Sequence, residues 1–126
     1  MKKLLIATIT LLSTIPIVNA DEKYSHFPSL QSADIHTAMC NIKNYNTKLA
    51  AITRKAELTT EDMVKVHELT YTLENAVNFL KVSLEQVSED LEDVHKASER
   101  LDQNIINNSG EKYLDLTHKI LEVSKC

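Results

Sequence analysis

The residue types best suited to metal chemistry in this chain are a glutamate and a histidine three positions apart. Glu92 and His95 match Glu-x-x-His, a spacing that places a carboxylate and an imidazole on one helix face, as in the di-metal sites of helical bundles. Those sites need two copies of the motif, and this chain has one. Glu92 also lies four residues before Lys96, which favours a surface ion pair. We therefore predict no metal ligands.

Haem ligation is a second chemistry that the residue types suggest. Met39 in the first predicted helix and His118 in the last are ligand types of small b-type cytochromes. His118, however, lies off the apolar stripe of its helix. We predict no cofactor, and keep a small haem- or metal-binding helical bundle as the alternative function.

Nucleophilic catalysis has little support in the sequence. Cys40 follows His36 by four residues, and Ser109 to Lys112 spells Ser-x-x-Lys. The Ser-Asp-Asn and Lys-Thr-Gly motifs that accompany Ser-x-x-Lys in enzymes are missing. The single glycine of the chain cannot build a glycine-rich phosphate loop. We therefore predict that the protein is not an enzyme.

A long amphipathic helix must position most of these residues. Apolar residues recur every three or four positions from Met63 to Leu101, and ten of twelve positions in two heptad sets are apolar. The first heptad set is Val66, Leu73, Leu80, Val87, Val94 and Leu101. The second heptad set is Met63, Thr70, Val77, Leu84, Leu91 and Ser98. Both sets are predicted to face neighbouring helices.

Two shorter helices flank this segment. Thr59 and Asp62 resemble a capping box at the start of the long helix, and Ser109 is expected to cap a last helix after a turn at Asn107 to Gly110. The fold class is therefore all-α: a three-helix antiparallel, coiled-coil-like bundle with a long central helix. The predicted helices span about 30–55, 60–101 and 109–125, after a polar lead-in over 21–29.

The helix lengths restrict the assembly. A straight central helix would have the first helix on its front half and the third on its rear half, so that only a two-helix layer is buried at each level. Either the central helix bends near Ser88, or two chains pair into a four-helix layer. The heptads continue through Ser88, which favours the unbroken helix and a homodimer.

The first twenty residues are typical of a cleavable signal peptide. Lys2 and Lys3 precede an apolar run from Leu4 to Val18, and small residues lead up to a cut after Ala20. We predict periplasmic localisation, with no membrane anchor after cleavage. The 14 basic residues include the two N-terminal lysines, which leaves 12 against 18 acidic residues. A nucleic-acid partner is therefore not expected, and the expected partner is an unknown protein or a second copy.

The two cysteines are disulfide candidates. Cys40 and Cys126 have no CxxC spacing, and an oxidising compartment favours a structural disulfide. Straight helices would offset them by ~10–12 Å along the axis, whereas a disulfide needs Cα atoms within ~7 Å. Both a bond within one chain and a bond between chains remain open.

Several strings resemble an uncharacterised family of small exported all-helical proteins of proteobacteria, over about residues 26–101. The strings are His67 to Ala76, Tyr45 to Ala51, Leu58 to Met63 and Leu91 to Glu99. The resemblance implies a periplasmic helical domain and supplies no catalytic residues. It makes one set of polar residues on the long helix the first choice for an interaction patch: His67, Thr70, Tyr71, Glu74 and Asn75.

Overall fold

A computed structural model describes residues 28–122 and Cys126. In that part of the chain there are three helices and no strand: α1 (Ile35–Thr53), α2 (Thr60–Glu99) and α3 (Gln103–Leu121). α1 packs along the first half of α2 and α3 along the second half. The all-α three-helix prediction is confirmed. The predicted signal peptide and most of the lead-in lie outside the described residues.

α1 begins at Ile35, five residues later than predicted. Asp34 is its N-cap, and the Asp34 carboxylate accepts a hydrogen bond from the Thr37 backbone N–H at 2.6 Å. That bond holds the pKa of Asp34 below its usual value. The sequence prediction placed the start at residue 30 because Pro28 and Ser29 suit a helix start.

The residues before Asp34 are not helical because they bond to the middle of α2. The Leu30 backbone N–H donates to Thr72 Oγ1 at 3.1 Å. Asn75 Nδ2 donates to Ser29 Oγ at 3.1 Å and to the Leu30 carbonyl oxygen at 3.2 Å. These bonds satisfy backbone groups that a helix would otherwise pair, so the lead-in crosses α2 before α1 starts.

The predicted capping box starts α2. Thr59 Oγ1 accepts from the Asp62 N–H, and Asp62 Oδ2 accepts from the Thr59 N–H, both at 3.1 Å. Asp62 Oδ1 also accepts from Lys55 Nζ at 2.6 Å. The Lys55 bond, followed by the Thr59 backbone bond, lowers the pKa of Asp62.

This capping geometry predicts a specific pH dependence. Because the pKa of Asp62 is lower in the folded than in the unfolded chain, its ionised form stabilises the fold above the usual value of 3.8. That stabilisation is lost as the pH falls through the lowered folded pKa. We expect Asp62→Asn to unfold at lower urea than wild type at neutral pH, with the difference shrinking in acid. An equal difference at every pH would contradict this explanation.

α2 is one unbroken helix of 40 residues, which corresponds to ~60 Å at 1.5 Å per residue. The helix continues through Ser88 without interruption. The predicted end at residue 101 is close to the observed last residue, Glu99. A single continuous helix thus supports both of its neighbours.

α3 begins at Gln103, six residues before the predicted start at 109. Asp102 is its N-cap and accepts from the Ile105 N–H at 3.3 Å. Ser109 is buried inside the helix instead of capping it. Gly110 is also helical, and a Cβ placed on it would lie 3.8 Å from Val94 Cγ2, an ordinary contact. The Asn-Ser-Gly composition misled the turn prediction because tertiary packing overrode local propensity.

The connection between α2 and α3 is a tight Schellman turn. The Asp102 N–H donates to the Ala97 carbonyl oxygen at 2.9 Å, and the Leu101 N–H donates to that of Ser98 at 3.3 Å. Leu101 has a φ of 56° and is 88% exposed. A leucine therefore occupies the left-handed position that glycine usually fills.

Leu101→Gly is expected to raise the free energy of unfolding by about 1 kcal/mol. The substitution removes the left-handed penalty of a Cβ, ~1–2 kcal/mol, which outweighs the added flexibility of glycine, and the exposed side chain contributes little packing. Urea denaturation measures the change. Arg100→Gly, one residue earlier at φ −99°, is the matched control and should destabilise. A loss of stability in Leu101→Gly would show that the left-handed conformation of Leu101 does not destabilise the fold.

The inner face of α2 differs from the predicted one. The buried residues of α2 other than Thr72 belong to a third heptad set next to the first, and this set is small or polar at most places. The third heptad set is Leu69, Ala76, Ser83, Asp90 and Ala97. Small side chains let α1 and α3 approach α2 closely, which suits ridge-into-groove packing. The interior is consequently thin: the buried apolar residues of the described chain are Ile35, Ala38, Leu69, Ala76 and Ala97.

Candidate interaction surface

Most of the second heptad set of α2 is exposed, contrary to the prediction that it faces neighbouring helices. Met63 is 57% exposed, Val77 and Leu84 are each 54% exposed and Leu91 is 47% exposed. The first heptad set, beside it on the helix, is half-buried from Val66 to Val94. Together the two sets form an apolar band along α2 that α1 and α3 cover only along one edge.

In the second half of α2, apolar residues of α3 lie beside the band and widen it. A groove of about 870 Å³ lies between the two helices and is lined by Val94 of α2 and by Ile106, Leu114 and Leu121 of α3. Leu114 and Leu121 are themselves strongly exposed. Val94 belongs to the first heptad set, which adjoins the second set around the helix. The groove therefore opens on the same side as Leu91.

The predicted interaction patch is divided by the structure. Tyr71 Oη and His67 Nε2 form a 3.1 Å hydrogen bond, with their rings in edge-on contact. Thr70 lies beside them, and Glu74 is exposed. Asn75, one turn after Tyr71, is half-buried and binds the lead-in. Thr70 therefore belongs to the second heptad set, and His67, Tyr71 and Glu74 lie on one side of it. Asn75 instead has a structural partner in the lead-in.

Of the candidate metal and haem residues, Glu92, His95 and His118 lie on the surface and form local pairs, whereas Met39 is half-buried. The Glu92 carboxylate is 3.0 Å from Lys96 Nζ, as predicted, and this hydrogen bond lowers the pKa of Glu92. His95 approaches Glu99 at 3.5 Å and His118 approaches Glu122 at 3.1 Å. Within residues 28–122 and 126, no group of three or more His, Cys, Asp or Glu residues could hold a metal ion.

The two cysteines form a disulfide within one chain. Their Cα atoms are 5.2 Å apart, and 86 positions separate them in the sequence. The offset predicted from straight helices is closed because α3 ends at Leu121 and Cys126 lies beyond it. His36 Nε2 lies 3.6 Å from Cys40 Sγ. The bond therefore ties the C-terminus to the start of α1.

A buried carboxylate that was not predicted from the sequence lies between α2 and α3. Asp90 is 4% exposed, and its Oδ2 has no hydrogen-bond partner among the described residues. It lines a pocket of about 380 Å³ with Gln86, Lys112 and Leu116. The only sequence signal for this position was its place in the third heptad set, where an acid interrupts an inward row.

Comparison with known proteins places the chain in a family. The model of DUF6746, described as a family of unknown function, matches residues 1–122. The chain belongs to DUF6746. No curated protein and no solved structure matches it. Because the match includes α1, α2 and α3, the apolar band lies within the DUF6746 region. None of the helices in residues 28–122 has an apolar stretch long enough to span a bilayer.

Proposed function

We propose that this DUF6746 protein is an exported, non-enzymatic helical module that binds a protein surface through the apolar band of α2. The observation that carries the proposal is the exposure of Met63, Val77, Leu84 and Leu91. Soluble proteins rarely expose a continuous apolar patch of several hundred Å² unless it is a binding site.

The pattern of the band favours a helix as the bound element. Its residues repeat every seven positions over almost the whole of α2, from Met63 to Leu91. A sustained heptad repeat matches the spacing at which another helix packs its own side chains. The flanking His67 and Tyr71 supply a polar and aromatic rim, as protein interfaces usually have.

Export has two kinds of support. The N-terminal sequence has the basic start, apolar run and small-residue cleavage site of a signal peptide. The Cys40–Cys126 disulfide suits a compartment that oxidises thiols. We take the periplasm as the compartment and the residue after Ala20 as the mature N-terminus.

Site-specific photo-cross-linking in cells tests the proposal. A photoreactive amino acid at position 84 should yield a protein adduct on irradiation. The matched control is position 82, because Val82 is 64% exposed but lies on the opposite side of α2, since two residues differ by ~200° around a helix. An adduct at 84 and none at 82 is the expected result. No adduct at 84, or equal adducts at both positions, would contradict the proposal.

A further inference from the structure

We infer that the apolar band binds the α2 helix of a second copy, antiparallel, with the two-fold axis beside Val77. This inference rests on the proposed function and names its partner. The band consists of the first and second heptad sets, and only the second is exposed at most of its positions. The geometry of that second set and the charges beside it determine the orientation.

The positions of the second heptad set from Met63 to Leu91 are evenly spaced about a central residue. Its members between Met63 and Leu91 are spaced by seven, and Val77 is the middle one. A two-fold axis at Val77 places Val77 against Val77 of the partner subunit. The same axis places Met63 against Leu91 of the partner subunit, and Thr70 against Leu84 of the partner subunit. Every apolar member of the set is then covered in both chains, as an isologous interface requires.

Two charged residues favour the antiparallel orientation. Glu74 and Lys81 lie on one side of the row, three residues before and four residues after Val77. The antiparallel axis brings Glu74 next to Lys81 of the partner subunit, and symmetry forms this ion pair twice. In a parallel pair the two-fold axis would run along the helices, so Glu74 and Lys81 would face the opposite side of the partner's row, where Leu73 and Leu80 lie. Neither charge would then gain an ion pair.

Both charges are available for such a pair. Glu74 is exposed and makes no ion pair within residues 28–122. Lys81 approaches Glu85 at 4.0 Å, and both of these side chains are more than half exposed. This contact within one helix is loose, so Lys81 can turn toward a second chain.

The size of the band indicates that α3 also takes part. From Met63 to Leu91 a helix rises ~42 Å. A strip of that length and one helix wide, ~10 Å, is on the order of 400 Å² per subunit, about half of a standard interface. The exposed Leu114 and Leu121, beside the groove on the same side, supply the missing area. The reversed chain brings the Met63 end of its α2 to that groove.

The resulting assembly has four helices at each end. One end contains α2 and α3 of one chain with α1 and α2 of the other, and the opposite end is identical by symmetry. The thin interior of the single chain thereby becomes part of the core of a four-helix layer, in which antiparallel helices cover each other's apolar faces.

Cysteine cross-linking tests the orientation in the protein with its disulfide intact. A short bismaleimide reacts with introduced thiols and leaves the Cys40–Cys126 bond unchanged. We expect Val77→Cys to form a covalent dimer and Val82→Cys not to. Leu84→Cys should not cross-link to itself but should cross-link to Thr70→Cys when the two proteins are mixed. Self-cross-linking of Leu84→Cys, or none at Val77, would overturn the inference.

Charge reversal tests the ion pairs between chains independently. Glu74 and Lys81 are exposed, so their substitution is not expected to disturb folding. Glu74→Lys and Lys81→Glu should each weaken dimerisation about tenfold, because each creates two repulsive pairs. The double variant should return to within about threefold of wild type. Sedimentation equilibrium measures the dissociation constants. Unchanged constants in the single variants, or a wild type that remains one chain, would overturn the inference.

The two proposals can fail separately. An adduct at position 84 that contains a different protein would leave the proposed function standing and reject the second copy. A dimer whose cross-links are parallel would keep self-assembly and reject the two-fold axis at Val77. No adduct at position 84 and a single-chain mass would reject both.

Discussion

Replacing Cys40 and Cys126 together by serine is expected to lower the free energy of unfolding by roughly 4 to 5 kcal/mol. The bond closes a loop with a sequence separation of 86, and the chain-entropy model assigns a stabilisation of that size to so long a loop. Because the buried apolar set of the described chain is small and includes three alanines, few other contacts can compensate. A typical domain has only ~5–15 kcal/mol in total.

Urea denaturation followed by circular dichroism measures this loss. The matched control is the wild-type protein reduced and alkylated, which should shift by a similar amount because it loses the same cross-link. If the double serine variant unfolds at the wild-type urea concentration, the disulfide does not contribute to the free energy of unfolding.

Asp90→Leu is expected to stabilise the protein by about 1 to 3 kcal/mol. Asp90 is buried between α2 and α3, and its Oδ2 finds no hydrogen-bond partner in the described chain. A buried polar group without a partner costs ~1–3 kcal/mol, which an apolar side chain of similar size recovers. Leucine also continues the inward row of the third heptad set.

The matched control for this position is Asp93→Leu. Asp93 is exposed in the same turn of α2, so its substitution should change the free energy of unfolding by less than about 0.5 kcal/mol. A destabilised Asp90→Leu, with Asp93→Leu unchanged, would mean that the Asp90 carboxylate has a partner in solution. The loss would then be assigned to that partner and not to packing.

The long helix was predictable because its signal is strong and local. Forty residues with heptad periodicity and a capping box at Thr59 give a start, a length and an amphipathic character. The N-cap of α3 was less visible because Asp102 competed with Ser109, which also suits a cap. Burial of Ser109 against α2 is a tertiary effect that no local pattern reports.

The covered face of α2 was not predictable from apolar counting. The first heptad set has an apolar row on one side and a row of small or polar residues on the other. Hydrophobicity favours the side of Leu84 and Leu91, whereas α1 and α3 pack on the side of Ala76 and Ala97. Small residues permit close approach of two helices and so increase the van der Waals contact between them. A count of apolar side chains does not detect this contribution.

The candidate surface was only partly predictable. The contact between His67 and Tyr71 follows from their i,i+4 spacing on a helix. Asn75 follows Tyr71 by the same spacing, but it is held by Ser29 and Leu30, far away in sequence. The exposure of Val77 and Leu84 depends on where α1 and α3 pack, so only the three-dimensional structure could reveal it.

Isotope-filtered NMR of a mixture of labelled and unlabelled chains tests the antiparallel pairing of α2 helices directly, because it observes the methyl groups of the apolar band themselves. We expect nuclear Overhauser contacts between chains at Val77, and between Leu84 and Thr70. Methyl groups of Leu69, at the inner face, should show contacts within one chain only. Contacts between chains that involve Leu69 and not Val77 or Leu84 would rule out this pairing, as would the absence of any contacts between chains.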